Sequence, residues 1–160
     1  MIQVIDSHTG GEPTRVITEG GPDLGGGTLA ERARLLEAEH ADFCRSVLCE
    51  PRGYDAMVGV LLVAPVSKDC LTGAIFFNTS QNLGMCGHAT LGLLVTLYHQ
   101  GQISVGNYDI ETPVGIVSAE LHDANTASII NVDSYRYQKN VVVEVDKFGA
   151  ITGDIAWGDR

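Results

Sequence analysis

Gly73-Ala74-Ile75-Phe76-Phe77, the turn-rich Asn78 to Gly84, and Met85-Cys86-Gly87-His88-Ala89-Thr90-Leu91-Gly92-Leu93-Leu94-Val95-Thr96-Leu97-Tyr98 form the stretch whose reading decides the fold. The first five residues are mostly apolar and bounded by turn signals, so they read as a strand. The run from Ala89 to Tyr98 is mostly apolar and lacks proline, which predicts a buried helix starting at Cys86 and ending by Gly101. Cys86 then sits at the positive end of the helix dipole. That position favours a thiolate over the ordinary cysteine, whose pKa is about 8.5. The amides of Gly87 and His88 have no intrahelical acceptor and are free to bind a small anion.

Working outward, Ile2–Ile5 and Arg15–Thr18 read as strands joined by the turn-rich His8-Thr9-Gly10-Gly11-Glu12-Pro13. Gly20 to Gly27 is a loop. Thr28 and Glu31 form a capping box that opens a single long helix from Leu29 to about Cys49, which Pro51 ends. Met57–Val63 and Thr72–Phe77 are the next strands. Beyond the central helix, Tyr108–Thr112, Gly115–Leu121, Ala127–Val132, Val141–Val145 and Ala150–Trp157 alternate or are β-branched between turn signals. Two helices among roughly nine short strands predict an α+β fold, a curved sheet wrapped around a helix. No internal repeat, low-complexity tract or flexible linker interrupts it.

The 160 residues have room for one compact domain, or one domain plus a fragment of another. Twenty acidic residues against ten basic ones give a net charge of −10, and the basic residues form no stripe, which argues against a nucleic-acid partner. The longest apolar stretches fall well short of the roughly 20 residues a membrane span needs. No basic, apolar leader precedes the first strand, so a cytoplasmic protein is expected. Cys44, Cys49, Cys70 and Cys86 match no paired zinc spacing, and three of them read as small packing residues.

Other readings compete for the same residues. Cys86 could be simple packing and His88 a polar cap in the first helical turn. Cys86, His88 and His8 could in principle hold zinc, although only one short Cys-x-His pair supports it. The Gly20–Gly27 loop has no phosphate-binding pattern. Glu50-Pro51-Arg52-Gly53 reads as a structural ion pair or a carbonyl-bonding arginine at a helix end. Asp6, Ser7 and His8 look like triad residues, but triads need spatial adjacency and no G-x-S-x-G elbow occurs.

Five segments together resemble the proline racemase family. They are Ile5-Asp6-Ser7-His8-Thr9-Gly10-Gly11-Glu12-Pro13-Thr14-Arg15, Glu50-Pro51-Arg52-Gly53, Met85-Cys86-Gly87-His88, Ile110-Glu111-Thr112-Pro113-Val114-Gly115 and Gly153-Asp154-Ile155-Ala156-Trp157-Gly158. Within the family, the fourth and fifth are most similar to 4-hydroxyproline 2-epimerases. The resemblance implies two similar lobes of the diaminopimelate epimerase-like type, with the active site in the cleft between them. It also implies cofactor-independent inversion at Cα by two cysteines, one on each face of a small amino-acid substrate, 4-hydroxyproline or proline. Cys86 matches the first cysteine. Gly87 and His88 match the positions whose amides, with the histidine side chain nearby, hold the substrate's carboxylate and amine. No metal or other cofactor is implied.

Two departures accompany the resemblance. Ser80-Gln81-Asn82 stands where the family carries a Gly-Tyr pair, and the family's chain is about twice this length. The expected organisation is therefore a first lobe over 1–135 and the opening strands of a second, truncated lobe over 136–160. With the second cysteine lacking, this half alone is expected not to invert its substrate. The rivals are a 3-hydroxyproline dehydratase of the same family and a non-catalytic lobe serving as a binding or scaffold protein, dimeric through its exposed strands.

Overall fold

The structure, a computed structural model, describes residues 1–157. Gly158 of the fifth segment, and with it the end of the 136–160 unit, lies outside the described residues. Among the described residues, ten strands and three helices follow in the order β1 (Gln3–Thr9), β2 (Glu12–Glu19), α1 (Leu29–Glu39), α2 (Ala41–Leu48), β3 (Val58–Val63), β4 (Thr72–Phe77), β5 (Asn82–Leu83), α3 (Gly87–His99), β6 (Gly106–Thr112), β7 (Gly115–Asp123), β8 (Thr126–Ile130), β9 (Tyr135–Val145) and β10 (Gly149–Trp157). Eight strands form one mixed sheet in the order β1-β2-β3-β4-β6-β7-β8, with β5 paired to β4. This curved α+β architecture around a central helix matches the expectation.

The topology explains which face each helix covers. The β2–β3 and β4–β6 pairs are parallel, while β3 and β4 run antiparallel. A right-handed crossover puts its helix on a face set by strand direction. The same sideways step between oppositely directed strands therefore places α1 and α2 on one face and α3 on the other. Two cores result. Val16, Val60, Ala74 and Phe76 pack with Leu93, Leu94 and Leu97 of α3. The neighbouring Ile17, Leu61, Ile75 and Phe77 pack with Leu36, Val47 and Leu48. Central strands covered on both sides read as nearly continuous apolar runs. On β7 only Val117, Ala119 and Leu121 are buried, alternating with exposed residues, because α3 covers one face alone.

Several elements differ from the sequence reading. The long helix is broken at His40, whose φ/ψ of −123°/26° ends α1 and starts α2. An unbroken 21-residue helix would span roughly 31 Å, against roughly 20 Å for the six-residue strands beneath it. The break lets two short helices cover the sheet instead of overshooting it. The capping box at Thr28 and Glu31 is formed as expected. Strands β1 and β2 run through most of the anticipated turn, leaving only Gly10 and Gly11 at its tip. Both have positive φ, 59° and 99°, as a two-residue hairpin of this hand requires.

The short β5 was not anticipated, and β9 begins at Tyr135 rather than Val141. Strands β9 and β10 form a separate two-stranded sheet whose residues are almost all exposed. Residues 131–134 connect it to β8. No helix among the described residues is long and apolar enough to cross a membrane.

Candidate functional site

The start of α3 is built by the turn that precedes it. Asn78 Oδ1 accepts from the amides of Ser80 and Gln81 at 2.8 Å each, closing the turn after β4. The residues that depart from the family wording thus make an Asx-type turn. β5 then pairs back onto β4 through Phe76↔Leu83 and Phe77↔Asn82. Met85, only 2% exposed, plugs the core and fixes where the next residue emerges.

That next residue is Cys86, the N-cap of α3, with extended φ/ψ of −144°/112°. Its carbonyl accepts from the Thr90 amide at 2.9 Å and from Thr90 Oγ1 at 2.8 Å. Its side chain makes no capping bond. The helix itself leaves its first-turn amides without intrahelical acceptors. A Cβ added at Gly87 would meet only Ile129 Cδ1, at 3.5 Å, so the backbone there is open to close approach. There is no acidic residue in the first turn to compete for an anion.

His88 folds back on Cys86, with Nδ1 3.4 Å from Sγ. The other ring nitrogen, Nε2, is buried and has no hydrogen-bond partner among the described residues. The His88 carbonyl is held by Thr9 Oγ1 at 2.8 Å, a bond that ties the β1–β2 hairpin to the first turn of α3. One turn further, Gly92 lets the helix settle onto the same hairpin. A Cβ there would lie 3.2 Å from Ser7 Oγ and 3.4 Å from both Thr14 Oγ1 and Thr9 Oγ1. A cleft of about 360 Å³ opens alongside, lined by Ser7, His8, Thr9, Gly92, Val95 and Asn125 among others.

Cys86, Gly87 and His88 are therefore together at one helix start. The other residues weighed from sequence lie elsewhere. Asp6 turns away and takes a bidentate grip on Arg15, at 2.7 and 2.6 Å. Arg15 also bonds the carbonyls of Val47 and Arg52, while Arg52 Nε bonds the Ser46 carbonyl, the carbonyl-bonding role expected of it. Among the described residues Ser7 Oγ has no hydrogen-bond partner, and His8 Nδ1 accepts from the Gly11 amide, so Asp6, Ser7 and His8 form no triad. No group of three His, Cys, Asp or Glu suited to a metal occurs among the described residues. Glu111 Oε2 accepts from the amides of Val66 and Ser67, a loop-closing role.

The cysteines divide by environment. Burial pushes the Cys44 thiol up to about 11 and raises that of Cys70 as well. None of the four is in a disulfide.

Thr9 was not singled out from the sequence, although a signal existed. Alternation puts Ser7 and Thr9 on one face of β1, and the Gly-Gly turn fixes their partners as Thr14 and Glu12. Because Thr9 points at α3, its cross-strand partner Glu12 shares that face.

Comparison with known proteins adds sequence and fold relatives. A family model described as proline racemase matches residues 4–160. The 4-hydroxyproline 2-epimerase of Roseibium aggregatum is 62% identical over 157 residues, which cover 98% of this chain and 51% of that protein. The 4-hydroxyproline epimerase of Burkholderia pseudomallei is 55% identical, with 98% and 51% covered. The chain thus spans about half the length of the curated relatives it matches. Among solved structures, a hydroxyproline epimerase from Agrobacterium vitis with bound trans-4-hydroxy-L-proline superposes with a TM-score of 0.87 at 22% identity, covering 97% of this chain and 48% of that one. A probable proline racemase from Agrobacterium radiobacter with bound carbonate gives 0.88 at 24%, covering 98% and 49%. At these identities the two structures establish the shared fold.

Proposed function

The chain belongs to the proline racemase family, and from that premise we propose that it carries one half of a 4-hydroxyproline epimerase site, with Cys86 as one of two opposed acid–base groups. The observation that carries this reading is the thiol at the N-cap of α3, half-buried and beside amides that the helix leaves without acceptors. Residues 1–135 form the lobe bearing it, and 136–160 open a second lobe. The amides of Gly87 and His88 hold the substrate carboxylate, and the His88 ring lies next to the reacting centre.

The chemistry demands such an arrangement. An amino-acid α-proton is weakly acidic, so charge growing onto the carboxylate as the proton leaves needs preorganised donors. A thiolate supported by a helix dipole is a base suited to neutral pH. Inversion requires proton delivery from the opposite face. Cys44, Cys49 and Cys70 lie on α2, at its end and in the β3–β4 connection, none of them at the start of α3. The reaction needs no redox change and no cofactor. Hydroxyproline as substrate rests on the names of relatives at 55–62% identity.

Alkylation tests the reading directly. At neutral pH iodoacetamide is expected to label Cys86 at least tenfold faster than Cys44 or Cys70, and 4-hydroxyproline to slow labelling at Cys86 alone. Equal rates at all three sites would remove the support for a poised base. In deuterated buffer this chain by itself is expected to leave 4-hydroxyproline uninverted by NMR.

A further inference from the structure

We propose that the face of β1 turned away from α3 carries a second binding site, one for a small monocarboxylate with a hydrocarbon body. β1 is an edge strand of the eight-stranded sheet. Pairing sets Val4 opposite Ile17 and Asp6 opposite Arg15, so these four share one face, while Ser7 and Thr9 lie on the other, against α3. Ile17 belongs to the core beneath α1 and α2, but among the described residues that core takes none from β1. The helical layer therefore stops one strand short of the sheet's edge. Between β1 and the last turn of α2 lies a cavity of about 400 Å³, lined by Ile2, Val4, Arg15, Ser46, Val47 and Arg52. That is within the range of small-molecule pockets.

Hydrocarbon and guanidinium share this lining. Ile2 and Val4 are exposed, with no helix over them. The Arg15 side chain is 10% exposed. It donates from Nε and Nη2 to the two oxygens of Asp6, and from Nη1 to the carbonyls of Val47 and Arg52. A guanidinium has five N–H groups, so one on Nη2 is left without an acceptor among the described residues. Arg52 donates from Nε to the Ser46 carbonyl, and among the described residues its two Nη groups have no acceptor and it makes no ion pair. Asp6 offsets Arg15, so the cavity keeps the positive charge of Arg52 in a chain of net charge −10.

An occupant must therefore bring one negative charge to the guanidiniums and an apolar body to Ile2, Val4 and Val47. A carboxylate matches the planar fork of an arginine. An inorganic anion leaves the apolar wall wet, and a zwitterionic amino acid sets an ammonium group beside two guanidiniums. A medium-chain carboxylate satisfies both halves of the cavity. Little has to be ordered on binding, because the bonds to Ser46, Val47 and Arg52 already hold both arginines in place.

Octanoate is the probe, titrated against the intact chain and followed by NMR. It is expected to move the Ile2, Val4 and Val47 methyl signals and the Arg52 Nε–H signal along one saturating curve. 1-Octanol, the body without the charge, and acetate, the charge without the body, are each expected to bind there at least tenfold more weakly. Arg52→Gln is expected to weaken octanoate at least fivefold. Val4→Glu, which puts a like charge on the apolar wall at an exposed position, is expected to weaken it at least tenfold, with circular dichroism confirming that both variants are folded. The proposal is overturned if octanoate leaves these signals unmoved at millimolar concentration, or if octanol or acetate binds there as tightly. It is overturned too if either folded variant binds octanoate as the wild type does. Movement of the Gly87 and His88 amides alone would place the carboxylate at the start of α3 and likewise sink the second site. None of these readouts depends on Cys86, so failure here is separate from failure of the epimerase reading.

Discussion

The eight-stranded sheet around α3 and the β9–β10 hairpin are made of the same kind of strand but end in opposite conditions. Val60 and Leu61 on β3 point to opposite faces and are both buried, one under α3 and the other under α1 and α2. Val142 and Val143 on β9 also point to opposite faces, yet they are 61% and 53% exposed. Both strands are paired in antiparallel ladders, and both are rich in aliphatic residues. The difference lies in the covering layer: the first sheet has helices on its faces, and the hairpin has none. Apolar periodicity specifies a strand, but stability comes from what the strand is packed against, and a lone two-stranded hairpin is marginal in water.

The strongest way to break this comparison is to truncate one side chain in each region. Phe76 is fully buried against α3, so Phe76→Ala should cost about 3–5 kcal/mol through lost burial and an unfilled cavity. Val142→Ala should stay within about 0.5 kcal/mol of wild type. Urea unfolding followed by circular dichroism reads both. A loss above about 2 kcal/mol at Val142 would mean that this hairpin face is covered in solution, since only buried truncations reach that size.

A finer version contrasts two arginine–aspartate pairs. Arg15–Asp6 closes at 2.6 Å with the arginine side chain 10% exposed, and the same guanidinium satisfies the Val47 and Arg52 carbonyls. Arg136–Asp154 closes at 2.8 Å with both side chains substantially exposed. Arg15→Gln leaves buried acceptors without their donor and should cost about 2–4 kcal/mol, discounted from the fully buried case because Asp6 can rehydrate. Arg136→Gln should cost under about 1 kcal/mol, as exposed pairs do. Equal losses in a thermal melt would show that packing around the two pairs is alike, against the structure.

These contrasts also show what the sequence made legible. The curved sheet around a central helix could be read because the Gly73–Phe77 and Ala89–Tyr98 runs are long, apolar and separated by clear turn residues. Cys86, Gly87 and His88 could be found because a helix start confers properties on residues adjacent in sequence. The break at His40 could not, because the apolar spacing continues across it and the cause is the length of the strands beneath. Nor was the Thr9–His88 bond visible, since it joins residues 79 apart and depends on hairpin register. The exposure of β9 and β10 was equally hidden. Alternation says which residues share a face, and nothing in it says whether that face is covered.

The smallest expected effect gives the sharpest report on whether the hairpin is formed at all. Asp154 sits where the β9–β10 register shifts, and its carboxylate is held below the usual aspartate value of 3.8 by the Asn140 amide and then by Arg136. Glu31, in the capping box of α1, is likewise depressed by hydrogen bonds from Thr28. For a depressed carboxylate the stabilising contribution is complete above the unfolded value and is lost as pH falls through the folded one. Acid should therefore loosen the hairpin only below about pH 3.8. Carboxyl ¹³C titration should place both groups below their ordinary values, and Arg136→Gln should raise Asp154 while leaving Glu31 where it was. The lobe's carboxylate serves as the internal control. If Asp154 titrates normally in the wild-type chain while Glu31 stays low, the ladder between β9 and β10 is open in solution, because the Asn140 amide can reach Asp154 only when the two strands are paired.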